Sequence, residues 1–171
     1  MALDSKNRKD QLLDSQAQEL YAAVNEFVKI YQFRDRDLIC CHDVSVTQSS
    51  ALEAVIQKGP MRLQALAQEL LLDKSTTSRV IETLVRKNYV TRLPDPEDSR
   101  AVLIQATAAG RRLSEKIHEE LIAEQKEMIA DLDPEVRTAA TALLQRLAGA
   151  AARRMGLGSS CSSEKSGSRR C

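Results

Sequence analysis

A chain of 171 residues with Lys+Arg 25 against Asp+Glu 24 is long enough to bury a core, and its net charge of +1 excludes recognition of a polyanion through global charge alone. With 43% hydrophobic residues, 3% aromatic and 6 Gly, helices built on Leu, Ala, Ile and Val are favoured over a sheet sandwich, so one mainly α domain is expected. The segment Pro60–Arg112 is the basic part, with 9 Lys and Arg against 6 Asp and Glu.

Met1–Asp10 is polar, and no window approaches the roughly 20 apolar residues of a membrane span. A cytoplasmic protein is expected, and the 4 Cys then read as thiols rather than as a disulfide framework. There is no phosphate-binding Gly loop, no Gly-flanked serine nucleophile and no paired-carboxylate pattern, which speaks against an enzyme.

From Asp10 to Tyr31, apolar residues at Leu13, Ala17, Leu20, Val24, Phe27, Val28 and Tyr31 recur at spacings of three and four, the mark of an amphipathic helix that needs a partner surface. Phe33–Asp43 reads as a charge-dense connection interrupted by Leu38, Ile39, Cys40 and Cys41. Ser45 and Gln48 form a capping-box pattern, and Leu52, Val55 and Ile56 give the second helix a buried stripe that ends near Gly59.

Pro60 blocks continuation, and Leu63, Leu66, Ala67 and Leu70 define a short third helix. Leu71, Leu72 and Asp73 form a turn. Asp73 caps a fourth helix whose buried positions Thr77, Val80, Ile81 and Leu84 turn Ser75, Thr76, Ser78, Arg79 and Arg86 outward. Asn88 suits the left-handed C-cap.

Tyr89–Leu93 and Ala101–Ala106 are strand candidates, and the prolines and acids of Pro94–Arg100 read as a projecting hairpin loop. Thr107 caps a long fifth helix carrying Leu113, Ile117, Leu121 and Met128. Asp133-Pro134 caps and starts a sixth, with Val136, Ala140, Leu143, Leu144 and Leu147. The Gly- and Ser-rich residues 155–171 read as a flexible basic tail.

The short helix, tight turn and polar-faced helix match a helix-turn-helix unit, whose second helix enters the DNA major groove through its N-terminal residues. Ser75, Thr76, Ser78 and Arg79 supply donors at that leading end, and Arg86 extends the face. Arg100 on the hairpin loop is placed to enter a minor groove, with Asp98 either orienting a neighbouring arginine or standing as a solvated turn acid. The fold class is therefore mainly α, an α+β winged helix with a two-stranded wing and long N- and C-terminal helices. A winged-helix adaptor that binds protein rather than DNA is the alternative, although it has no need of Arg79 and Arg100 on those surfaces.

Leu63-x-x-Leu66-Ala67-x-x-Leu70, Ser75-Thr76-Thr77-Ser78-Arg79, Leu84-x-x-Lys87-Asn88-Tyr89-Val90-x-Arg92, Asp98-x-Arg100 and Thr107-x-x-Gly110-Arg111 follow in this order. On these motifs the chain resembles the MarR (multiple antibiotic resistance regulator) family over about Leu12 to Ala151. It departs at Asn88, where the family usually has Gly, and at Ala106, where Leu is usual. The resemblance implies a homodimer on double-stranded DNA, with 1–35 and 108–154 as the helical dimerisation region and 45–107 as the winged helix-turn-helix region. It further implies repression of a nearby operon, relieved by an organic ligand, a metal or an oxidant.

Cys40, Cys41 and His42 are consecutive, and the other histidine is His118. The resemblance puts the connection after the first helix close to the fifth helix, a region where some members bind zinc or sense oxidants. Two thiolates with imidazole nitrogens suit Zn²⁺, Cu(I) or an arsenite-type metalloid, with one Cys serving each subunit or Cys161 and Cys171 completing the shell. Alternatively, Cys40 and Cys41 are small, partly buried hydrophobes and the effector is an organic ligand in the dimer cleft.

Overall fold

In the computed structural model, which describes residues 2–98 and 100–156, the first helix, α1 (Ala2–Cys40), runs through most of the stretch expected as a connection. No Gly or Pro interrupts Met1–Lys58, so nothing in the backbone chemistry stops the helix at Tyr31. Helical spacing lets the Arg34 guanidinium lie 4.1 Å from the Tyr31 ring centroid and that of Arg36 4.7 Å from Phe33, each one turn back. The chain finally turns at Asp43, whose φ of 58° no helix accommodates.

Beyond the turn lie α2 (Val46–Lys58), β1 (Met61–Arg62), α3 (Leu63–Glu69), α4 (Lys74–Arg86), β2 (Val90–Pro94), β3 (Val102–Ala106), α5 (Ala108–Met128) and α6 (Pro134–Arg154). The capping box of α2 forms as expected: Gln48 N donates to Ser45 Oγ and Ser45 N to Gln48 Oε1, both at 3.2 Å. Asn88, with φ of 58°, takes the left-handed position after α4.

The antiparallel sheet has three strands in the order β1-β3-β2, one more than the alternation pattern reveals. Met61 and Arg62 pair with Ile104 and Leu103, so β1 is defined by its partner rather than by a period of its own. Pro94 is also a strand residue, opposite Val102, and not part of the loop. It closes an edge strand, where the missing N–H costs no ladder bond.

Leu52, Val55, Leu66, Ile81, Leu84, Val90 and Ile104 are fully buried at the centre of this arrangement. Each contributes about 1.5–3 kcal/mol through its burial. Ile39 at the end of α1 and Ile117 of α5 join the same core, which fixes these helices to the winged unit.

Thr107 does more than cap α5. Its Oγ1 accepts from Gly110 N at 3.1 Å and donates to Asn88 O at 2.7 Å, while its own N–H donates to Tyr89 O at 3.0 Å. Gly110 must be glycine, because a Cβ there would lie 2.1 Å from Tyr89 O. The Thr-x-x-Gly spacing is thus what lets α5 start against the beginning of β2.

The chain divides into the units Met1–Glu124 and Gln125–Cys171. In the second, Asp133 has the extended backbone of an N-cap, yet its side chain makes no capping hydrogen bond; Pro134 at the first position sets the start of α6 instead. No residue of α6 is buried, and Val136, Leu143 and Leu144 lie exposed. In the first unit, Leu13, Leu20, Phe27 and Val28 of α1 are exposed as well. The tail expected at 155–171, including Cys161 and Cys171, lies outside the described residues apart from Met155 and Gly156.

Candidate nucleic-acid interface

α3, the turn and α4 form a helix-turn-helix. Leu66 and Ala67 are buried from one side and Thr77, Ile81 and Leu84 from the other. The turn is closed by Leu72 N donating to Ala67 O at 2.9 Å, with Leu71 at a φ of 54°. This conformation is costly for a branched side chain, and the packed helices on either side hold it.

Asp73 caps α4 through both oxygens: Oδ1 accepts from Thr76 N at 2.8 Å and Oδ2 from Thr76 Oγ1 at 2.6 Å. Those hydrogen bonds, the hydroxyl's first, lower its pKa to about 2. Thr77 Oγ1 donates to Asp73 O at 2.9 Å, so its buried hydroxyl is satisfied.

Of the outward residues read from the sequence, Ser75, Arg79 and Arg86 are exposed, and Thr76 and Ser78 are half-buried. The Thr76 hydroxyl is engaged in the cap, and Ser78 Oγ donates to Glu82 Oε1 at 3.1 Å. Arg86 Nη2 donates to Thr83 Oγ1 at 3.0 Å, one turn back. Arg79, Glu82, Thr83, Val85 and Arg86 line a surface pocket of about 460 Å³ together with Arg92 of β2. Arg92 is a cation that sequence reading left out of the site; pairing with Ile104 in the register of β2 is what brings it beside α4.

Arg100 is exposed in the turn between β2 and β3. Asp98 acts on it through the backbone: Asp98 Oδ1 accepts from Arg100 N at 3.0 Å, and Asp98 O accepts from Ala101 N at 2.9 Å. These bonds engage the backbone of the turn, and among the described residues no hydrogen bond joins Asp98 to a guanidinium. Asp95, missed in the sequence, is 7% exposed. It accepts from Arg62 Nε at 2.6 Å and from Glu97 N at 2.9 Å. The Glu97 amide first, and then the Arg62 hydrogen bond, hold its carboxyl below the usual range.

Among the described residues, the cysteines and histidines do not gather into a ligand shell. Cys40 and Cys41 are both exposed free thiols rather than partly buried hydrophobes, and Cys41 Sγ donates to Asp37 O at 3.2 Å. His42 pairs with Glu120 of α5, Nε2 to Oε2, at 2.7 Å. His118 is exposed on a cleft of about 390 Å³ between α2 and α5, where Ser49, Glu53 and Arg111 also lie. Among the described residues, no group of three or more His, Cys, Asp or Glu is placed to hold a metal ion.

This architecture is a winged helix with a helix-turn-helix core. A profile of the MarR family matches residues 44–102. YhbI of Bacillus subtilis, an uncharacterized HTH-type transcriptional regulator, is 31% identical over 125 residues, covering 73% of this chain and 76% of that protein. The multiple antibiotic resistance protein MarR of Salmonella typhimurium is 30% identical over 77 residues, 45% of this chain and 54% of that protein. YkoM of Bacillus subtilis, also an uncharacterized HTH-type transcriptional regulator, is 32% identical over 77 residues, 45% of this chain and 50% of that protein. The chain spans about half the length of these last two relatives. A MarR family protein from Bacillus stearothermophilus has the same fold, with a TM-score of 0.73 at 19% identity over 78% of this chain and 94% of that one.

The chain belongs to the MarR family of transcriptional regulators. No helix among the described residues is long and apolar enough to cross a membrane.

Proposed function

We propose that the protein binds double-stranded DNA as a homodimer and represses transcription from an inverted-repeat operator until an effector relieves it. One observation carries this reading. The outward face of α4 combines Ser75, Arg79 and Arg86 with Arg92 beside it, and a closed turn presents Arg100 on the neighbouring wing. Donors of this kind serve major-groove edges and phosphates, and a cation on a hairpin suits the minor groove. Residues 45–107 are then the DNA-binding region.

The exposed apolar residues of α1 and, separately, of α6 support a homodimer, since a second copy would cover them. Residues 1–35 and 108–154 supply that interface. Two exposed thiols next to His42, which is tied to α5, support relief by thiol oxidation.

The test is binding to a duplex from the region upstream of the protein's own gene. Arg79→Ala and Arg100→Ala each weaken it about ten- to a hundredfold. Arg100→Ala also flattens the salt dependence by about one counterion. Variants that match the parent at every salt concentration would refute the reading.

A further inference from the structure

At the foot of the wing, Arg62 and Asp95 meet across the sheet. Arg62 lies on β1 and Asp95 directly follows β2, with β3 between the two strands, so the guanidinium spans the sheet to reach the carboxylate. Asp95 N also donates to Ala101 O at 3.1 Å, which seats the pair beside the stem that carries Arg100.

The two side chains differ sharply in exposure, 48% for Arg62 and 5% for Asp95. Among the described residues Arg62 is engaged only through Nε, at 2.6 Å. Neither Nη group donates to a described residue, on a half-exposed side chain whose direction the carboxylate fixes. A guanidinium can hold a carboxylate on one edge and a second anion on the other, which the point charge of a lysine cannot do. A buried acid near a polyanion is otherwise repulsive, and this pairing neutralises it.

We propose that Arg62 is a further contact to the DNA backbone, its Nη groups donating to a phosphate beside the groove that receives the wing, with Asp95 as its positioning residue. The inference rests on the DNA-binding reading above. β1 then serves as a third grip on the duplex alongside α4 and Arg100. Because Asp95 and Asp98 already close the turn in the free protein, little ordering cost falls on binding.

The experiment measures affinity for the upstream duplex against salt concentration for the parent, Arg62→Ala, Arg62→Lys and Arg100→Ala, with thermal midpoints alongside. Arg62→Ala lowers the slope of log Kd against log salt by about one and weakens binding about five- to twentyfold at physiological salt. Arg62→Lys keeps the slope but still binds several-fold more weakly, because the charge remains and the fork is lost. A purely structural role would move the midpoint and leave the slope alone. Arg62→Ala with the parent's slope, while Arg100→Ala flattens it, overturns this inference and spares the DNA reading. A parent that binds no duplex overturns both. If Arg62→Ala does not fold, Arg62→Lys with the parent's affinity is the overturning result.

Discussion

His42 Nε2 lies 2.7 Å from Glu120 Oε2, and the next residue, Asp43, places Oδ2 3.0 Å from Lys87 Nζ. One of these partners is on α5 and the other is the C-cap residue of α4. Two successive side chains in the turn after α1 thus tie the fifth helix and the candidate recognition helix to one corner, and Cys40 and Cys41 immediately precede them.

Chemistry at these thiols is expected to move α4. Peroxide treatment lowers the affinity for the upstream duplex, reductant restores it, and a Cys40→Ser, Cys41→Ser double variant no longer responds. Linkage requires the reciprocal effect, so bound duplex shifts the redox equilibrium of the parent's thiols toward the reduced form. A double variant that responds like the parent would shift the effector to an organic ligand.

The cap of α4 gives a pH signature. Asp73 has a folded pKa of about 2, below its ordinary 3.8, so its contribution is complete above the ordinary value and is lost as pH falls toward the folded one. Asp73→Ala therefore lowers the thermal midpoint by a few degrees at neutral pH, and the gap to the parent narrows steadily below about pH 4. Asp73→Asn, which keeps an acceptor at the cap, recovers most of the loss. An equal gap at neutral and acid pH would assign the effect to something other than the carboxylate.

Gly110→Ala tests the seating of α5 on the winged unit. The added methyl meets Tyr89 O at 2.1 Å and Leu52 Cδ1 at 3.0 Å, a clash that backbone must yield to relieve. A loss of at least about 1–3 kcal/mol in denaturant unfolding is expected. A variant as stable as the parent would mean that α5 packs elsewhere.

Much of this fold is legible in the sequence. Ser45 with Gln48, Asp73 before a periodic helix, and Asn88 after it are local devices whose partners lie within a turn, so composition and spacing reveal them. What escaped depends on distant partners. β1 is too short to alternate and exists through Ile104; Pro94 is a strand residue because β2 is an edge; Asp95 is buried because Arg62 reaches it from another strand. The length of α1 is hidden for another reason, since the charge-dense run after Tyr31 reads as a connection and the stacking of Arg34 on Tyr31 and of Arg36 on Phe33 is visible only in the structure. Within the candidate site, the helix face and Arg100 could be read from sequence, whereas Arg92 required the register of the sheet.

Dimerisation is expected to respond to charge placed on the exposed apolar positions. Leu13 and Leu144, 64% and 48% exposed in the protomer, can each become Glu without disturbing a core. The parent sediments as a dimer at micromolar concentration, and Leu13→Glu or Leu144→Glu shifts it toward monomer while helicity is kept. Unchanged dimers in both variants would place the interface on another surface.

Footprinting of the parent protein on the DNA upstream of its own gene tests the central claim most directly. A dimeric winged-helix repressor protects one tract with two-fold symmetric half-sites, their centres about 10 base pairs or a multiple apart. Its affinity there exceeds that for unrelated duplex by about a thousandfold or more at physiological salt. A protein that protects no tract, and holds upstream and unrelated duplex equally, would contradict the account.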